Sequence, residues 1–161
     1  MDFQRKGHYN EKNSITIRVA DENDLSEILT LYLQIENDDR ILSIDEAKVI
    51  YNKMRTYPDY NVYVAEADGV IIGTFSLAIM DNLAHMGAKS GLIEDVVVAP
   101  QSQGQGIGRR MMAYAIEICK NKSCYKVCLS SNLKRQDAHK FYENIGFKIH
   151  GYSFLTEIEN G

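Results

Sequence analysis

One stretch restricts the fold of this chain more than any other: Gly91-Leu92-Ile93-Glu94-Asp95-Val96-Val97-Val98-Ala99-Pro100-Gln101-Ser102-Gln103-Gly104-Gln105-Gly106-Ile107-Gly108-Arg109-Arg110. Its apolar, β-branched first half reads as a buried strand. Pro100 and three glycines at alternate positions then make a turn, and Ile107, Met111, Ala115 and Ile118 follow at helical spacing. A strand that feeds a helix through a glycine turn belongs to architectures in which helices pack on a sheet. The junction also suits an anion. Glycine puts no Cβ between backbone and ligand, and the first amides of a helix have no intrahelical partners, while its dipole favours negative charge. The plainer alternative is a loop whose glycines serve only the bend.

The rest of the chain arranges itself around this unit. Residues 1–14 carry no apolar period and are expected to be a flexible N-terminal arm, with one domain from 15 to 161. Ile15, Ile17 and Val19 alternate as a first strand. Asp21 offers an N-cap to a helix carrying Leu25, Ile28, Leu29, Tyr32 and Ile35 on one face. After the acidic cluster Glu36-Asn37-Asp38-Asp39, Ser43 and Glu46 form a capping box for a second helix that stops before Pro58. Asp68-Gly69 between two apolar runs, 61–67 and 70–80, is a hairpin signal. A loop with His85 leads into the central strand. Beyond the central helix come a strand at 125–131, a short helix at 137–145 ended by Gly146, and a final strand or strand pair over 147–157. The expected fold is therefore α/β (α+β), a single domain with a central mixed, mostly antiparallel sheet and about four helices.

Composition excludes several function classes. At 161 residues the chain fits one domain. Its net charge of −4 gives no basic field for nucleic acid. No apolar run approaches the roughly 20 residues of a membrane helix, and the polar first residues are unlike a secretory signal. These features point to a cytoplasmic protein without nucleic-acid or membrane partners. Cys119, Cys124 and Cys128 match no zinc-ligand spacing, so no metal is expected. They read as small apolar residues, with Cys124, placed in a loop, the one reactive candidate.

Three glycine-rich motifs compete for the turn. A Walker A loop needs a lysine and a hydroxyl residue, and neither follows Gly108. A dinucleotide fingerprint needs a third glycine where Arg109 stands, and an acid at the end of the next strand, which closes Leu129-Ser130-Ser131-Asn132. The third pattern, Gln/Arg-x-x-Gly-x-Gly/Ala, is met by Gln103-Gly104-Gln105-Gly106-Ile107-Gly108. It resembles the pyrophosphate-binding signature of the GNAT superfamily of acyl-CoA-dependent N-acyltransferases. Val96-Val97-Val98-Ala99-Pro100 before it, Phe141-Tyr142-Glu143-Asn144-Ile145-Gly146-Phe147 after it, and the opening Ile17-Arg18-Val19-Ala20 with Asp24 stand in that family's order.

The resemblance implies an acetyl-CoA-dependent N-acetyltransferase. The amides of Gln103, Gly104, Gln105, Gly106, Ile107, Gly108 and Arg109 would bind the CoA pyrophosphate. Val96, Val97 and Val98 would align its pantetheine arm by strand addition, with backbone bonds at Val96 and Val98. Asn132 matches a pantetheine-contacting position, and His139, one helical turn before Tyr142, is a candidate contact to the CoA phosphates or to substrate; a turn residue and a structural histidine are the plainer readings. Tyr142 resembles the family's general acid, because a phenol stays protonated at neutral pH and donates to a thiolate. A backbone N–H on the central strand would stabilise the oxyanion. Glu94, on an apolar strand face shared by period two with Leu92, Val96 and Val98, is the candidate base. Asp95, facing away, is the weaker one. Many family members carry their basic glutamate at the position of Leu92, a departure here.

The acceptor is expected to be a small primary amine attacked directly in a ternary complex. Ile93-Glu94-Asp95-Val96-Val97-Val98 with Cys124-Tyr125-Lys126 looks like eukaryotic glucosamine-6-phosphate N-acetyltransferases. Asn132-Leu133-Lys134-Arg135 with Ala138-His139-Lys140-Phe141-Tyr142 resembles bacterial aminoalkylphosphonate and related small-amine enzymes, and Lys134 and Arg135 would then meet a phosphate-bearing acceptor. His85 and the acidic cluster are candidate acceptor-pocket residues. Protein lysine or N-terminal acetylation, or a non-catalytic acyl-CoA sensor, are the alternatives; a homodimer is compatible with all of them.

Overall fold

The computed structural model describes residues 14–35 and 41–158. Within it, Asp68 and Gly69 take left-handed φ angles of 52° and 77° and join β2 (Tyr60–Ala67) to β3 (Val70–Met80), the two-residue hairpin their sequence demands. Five strands form one sheet in the order β1 (Thr16–Val19), β2, β3, β4 (Lys89–Val98), β5 (Cys124–Leu129). Neighbours are antiparallel except β4 and β5, which run parallel. A parallel pair needs a crossover, and α3 (Ile107–Asn121) supplies it. With α1 (Leu25–Tyr32), α2 (Ile44–Met54) and α4 (Gln136–Asn144), this is the mixed sheet with four helices expected from the sequence.

The sheet separates two cores. On one face Leu25, Ile28, Leu29 and Leu31 of α1, with Ala47 and Tyr51 of α2, pack on Val62, Val64, Ile71 and Val97. On the other, Met111, Met112, Ala115 and Cys119 of α3 pack on Phe75, Leu77, Ile79 and Ile93. Full burial of one such side chain is worth about 1.5–3 kcal/mol. Glycines let α3 lie close: a Cβ on Gly73 would stand 2.8 Å from Met111 Sδ, and one on Gly91 2.5 Å from Cys119 Sγ. Burial pushes the Cys119 thiol up to about 12.

Polar ties set the ends of the elements. The Arg18 guanidinium donates to both Asp24 carboxylate oxygens (2.7 and 2.8 Å) and to Glu66 (3.0 Å), pinning β1 to the start of α1. That contact, with the Asp21 amide, holds the buried Asp24 carboxyl below its ordinary range. Asp21 caps the short 3-10 turn before α1, Ser43 and Glu46 close the expected capping box, and the Tyr51 hydroxyl donates to the Ala20 carbonyl.

Two expectations are corrected. Residues 147–158 form no strand, and Tyr152, Phe154, Leu155 and Ile158 are 91, 92, 88 and 78 % exposed. No described residue pairs with them, so alternation alone did not make a strand. Cys124 opens β5 rather than lying in a loop, and is half-buried. The expected arm (except Ser14) and the acidic cluster 36–39 lie outside the described residues.

Candidate active site

A bulge in β4 shapes the site. Thr74 pairs with Val97 and Ser76 with Glu94, so Asp95 and Val96 together stand opposite Phe75 alone. Asp95 takes a left-handed φ of 53°, a conformation aspartate tolerates better than β-branched residues do. One extra residue inverts the alternation of a strand. Gly91 and Ile93 face α3 before the bulge, Val96 and Val98 after it, while Val97 and Ala99 turn to the α1 core. The expected placement of Glu94 on one face with Val96 and Val98, with Asp95 facing away, is therefore wrong. Glu94 sits across from Ser76, and Asp95 also lies beside Ser76 and within electrostatic reach of Tyr32, so both acids belong to the α1 side.

Beyond the bulge the sheet opens. The β4–β5 pairing ends at Ile93 and Leu129, whereas β4 continues to Val98. A cavity of about 230 Å³ fills the divergence. Glu94, Asp95 and Val96 line one wall, Leu129, Ser130 and Ser131 the other, and Arg135 and Tyr142 of the α4 segment close one end. The structure brings Glu94, Val96 and Tyr142 together in this one cleft. Asp95, the weaker candidate in the sequence, lines the same cleft, and Ser131, which the sequence did not single out, joins it. A charge pair interrupting an apolar strand was the one available signal for the bulge.

The electrostatics separate the two ends of the cleft. Desolvation raises the Asp95 carboxyl above its ordinary value; the nearby Ser76 hydroxyl, which completes no hydrogen bond among the described residues, offsets part of this. Burial, then the Asp95 charge, push the Tyr32 phenol up to about 12. Burial also raises Tyr142, an effect the nearby Arg135 cation partly opposes. The Tyr142 ring is held edge-on between Phe141 (5.2 Å) and Phe147 (5.8 Å).

The glycine turn carries the anion-binding geometry. Ser102 and Gln103 amides are tied back to Ala99 and Pro100, and Arg110 donates to Gly106. The six amides from Gly104 to Arg109 between them have no hydrogen-bond partner among the described residues. Gly104 and Gly106 are left-handed (74° and 81°), and a Cβ on either would meet nothing within 4 Å. Gly108 has a different task. A Cβ there would come within 3.0 Å of Phe141 Cζ, so this glycine seats α4 against α3.

Other candidates are engaged in local structure. Gln103 Nε2 donates to the Val98 carbonyl at 3.0 Å and Gln105 Nε2 to the Gln101 carbonyl at 2.9 Å, bracing the turn. Asn132 Oδ1 accepts from the Lys134 amide at 2.9 Å, and His139 Nε2 bonds the Asn132 carbonyl at 3.0 Å. Both residues thus shape the β5–α4 turn. His85 stacks on Tyr125 at 4.5 Å, near the opposite ends of β4 and β5 from the cleft, and does not line it. Among the described residues no group of acids, histidines and cysteines could hold a metal, and no helix is long and apolar enough to cross a membrane.

A turn of free amides for an anion, a strand edge with no partner, and a cleft with a protonated phenol near a carboxylate pair suit acyl transfer from a phosphate-bearing thioester. Comparison with known proteins agrees. The chain is 33% identical over 136 residues to the glucosamine 6-phosphate N-acetyltransferase of Trypanosoma brucei brucei, covering 84% of this chain and 90% of that protein. It is 34% identical over 101 residues to the aminoalkylphosphonate N-acetyltransferase of Salmonella typhimurium, covering 63% of this chain and 65% of the other. The crystal structure of the Arabidopsis thaliana glucosamine-6-phosphate N-acetyltransferase superposes with a TM-score of 0.79 at 25% identity, over 91% of this chain and 99% of that one. The profile of the acetyltransferase (GNAT) family matches residues 23–147, and this chain belongs to that family of acetyl-transferring enzymes.

Proposed function

We propose that the chain is a cytoplasmic, acetyl-CoA-dependent N-acetyltransferase that acts on a small primary amine by direct attack in a ternary complex. The observation that carries this reading is the run of six partnerless amides from Gly104 to Arg109, leading from the unpaired edge of β4 and the cleft of Tyr142. The amides, two of them on left-handed glycines, fit a diphosphate. The open β4 edge at Val96–Val98 fits an amide-bearing arm added as a strand, with the Val98 carbonyl already engaged by Gln103. When bound, acetyl-CoA supplies an activated acyl group. The protein supplies the proton traffic. A carboxylate of the Glu94–Asp95 pair, directly or through a water, takes the proton that the attacking ammonium must lose. Nitrogen then bonds to the acyl carbon as the carbon–sulfur bond breaks, Tyr142 delivers its proton to the departing thiolate, and the second proton shed by the acylated nitrogen restores the Tyr142 phenol through solvent. Similarity to enzymes for glucosamine 6-phosphate and aminoalkylphosphonates supports a small acceptor that bears a phosphorus oxyanion, with Arg135 at the cleft as its candidate partner.

The test is release of free thiol from acetyl-CoA with a panel of amino-sugar phosphates, aminoalkylphosphonates, polyamines and peptides. The expected result is turnover with a phosphorylated or phosphonylated amine at least tenfold above the neutral amines. Turnover with peptides alone assigns the enzyme to protein acetylation. Binding of CoA with no turnover for any amine identifies a sensor instead.

A further inference from the structure

We propose that Ser76 is a positioning residue of the active site: its hydroxyl is the hub that joins the Asp95 carboxylate to the phenols of Tyr32 and Tyr60, and it aims the charged Asp95 at the incoming amine. On the acetyl-transfer reading of the cleft, which this assignment rests on, Asp95 is then the acid that takes the amine's proton. The register of β3 brings the parts together. Val62 pairs with Ser76 and Tyr60 with Ala78, so Tyr60, Val62 and Ser76 share the α1 face of the sheet. Tyr32, the last residue of α1, packs against that same face. On its other side Ser76 pairs with Glu94, and the bulge sets Asp95 beside it.

Thr74 and Ser76 put two buried hydroxyls on this face of β3, and one of them is already spent. Thr74 Oγ1 donates to the Tyr63 carbonyl at 2.9 Å. Ser76 is 2 % exposed, yet its Oγ completes no hydrogen bond among the described residues. A hydroxyl buried in this way calls for a use. The groups around it differ in what they offer. A charged carboxylate only accepts, a phenol donates, and a serine hydroxyl does both with a proton that turns to suit. One arrangement employs all four groups: Ser76 donates to Asp95 and accepts from Tyr32 and Tyr60. Both phenols keep their protons, because burial first and the Asp95 charge next raise them. The protein interior thus steadies one side of the Asp95 carboxylate, while the other side opens on the cleft that it shares with Glu94 and, on the α4 segment, Arg135. As the ammonium arrives there, its N–H bond breaks, an O–H bond forms on Asp95, and a neutral amine is left to attack.

Ser76→Ala removes the hydroxyl and little else. A hydrogen bond donated to the charged form lowers a carboxyl pKa, so its loss raises Asp95, and the acid limb of kcat should move up by about one pH unit. The value of kcat should fall about tenfold or more as the carboxylate loses its aim, with CoA affinity by calorimetry and helical circular dichroism retained. Ser76→Thr, which keeps a hydroxyl, should restore both the limb and the rate. The same shift is read without any substrate from the carboxyl carbon resonances of isotope-labelled Asp95 and Glu94, titrated in the full chain: the Asp95 midpoint should rise in Ser76→Ala and the Glu94 midpoint should stay. Should Ser76→Ala not fold, Tyr60→Phe, at the rim of the hub, should move Asp95 the same way by less. An Asp95 midpoint that does not move, a Glu94 midpoint that moves in its place, or an acid limb that stays put would overturn the assignment. A parent enzyme that turns over no amine would instead sink acetyl transfer, and the carboxyl titration would still decide whether Ser76 holds Asp95.

Discussion

Gly108→Ala separates the two tasks assigned to the glycine turn. An alanine Cβ would stand 3.0 Å from Phe141 Cζ and 3.4 Å from Cε2, so ring or helix must yield by about 0.4 Å to restore ordinary contact. Overpacking of this kind costs about 1–3 kcal/mol, and the gain of alanine over glycine inside a helix returns up to about 1. The net loss is then about 0–3 kcal/mol, or at most roughly 12 °C in Tm for a domain of this size. The functional effect should exceed the structural one. Phe141 adjoins Tyr142, and if 1 Å of misplacement costs about a hundredfold, 0.4 Å costs roughly five- to tenfold in kcat/KM. Phe141→Leu removes the opposing Cζ, so the double variant should regain most of the loss, a coupling that a double-mutant cycle reads directly. Gly106→Ala, at φ 81° in open space, should behave differently. It strains the turn by about 1–2 kcal/mol and weakens CoA binding with little change in kcat at saturation. Calorimetry with CoA and thiol-release kinetics distinguish the two. If Gly108→Ala loses CoA affinity, keeps kcat and is not rescued by Phe141→Leu, Gly108 serves ligand approach and the packing argument fails.

Further outcomes follow from the same site. Tyr142→Phe should lower kcat by about 10²–10⁴; because burial raises this phenol, the parent enzyme should keep its acid to at least pH ~10, and an unchanged rate in the variant would remove the assignment. Asp95→Asn should lower activity yet raise thermal stability at neutral pH. Its folded pKa is raised, so the parent loses stability as pH climbs from the unfolded value of 3.8 through the folded one; a variant melting lower than the parent at pH 7 would contradict this. Asp24→Asn should cost about 1.5–3 kcal/mol in denaturant unfolding, the worth of a charged hydrogen bond. Here the folded pKa is lowered, so the contribution is present above pH 3.8 and fades as pH falls through the folded value, and equal acid sensitivity of parent and variant would refute it.

Much of the architecture was legible because its signals are local. Asp68-Gly69 dictates a turn through φ alone, Ser43 and Glu46 satisfy each other within one helical turn, and the Gln103–Arg109 turn is braced by residues no further back than Val98. What escaped depends on distant partners. The bulge at Asp95 exists only in register with Phe75, and one inserted residue reverses every facing inferred beyond it. Gly108 looks like its two neighbours until Phe141, 33 positions away, is set against it. His139 and Asn132 drew functional readings from their motif, while the structure bonds each within the turn they share. The segment after Phe147 has a strand's alternation without, in one chain, a strand's neighbour.

The divergence of β4 from β5 makes the sheet a partition with a slot in it, a different interior on each side. Under the proposed function, a donor and an acceptor would arrive from opposite directions and meet edge to edge. Changes on the α1 side, where Ile35 lines the cleft, would then alter which amine is admitted and leave the amide turn before α3 untouched. Selection, or an engineer, could thus exchange the customer without rebuilding the counter.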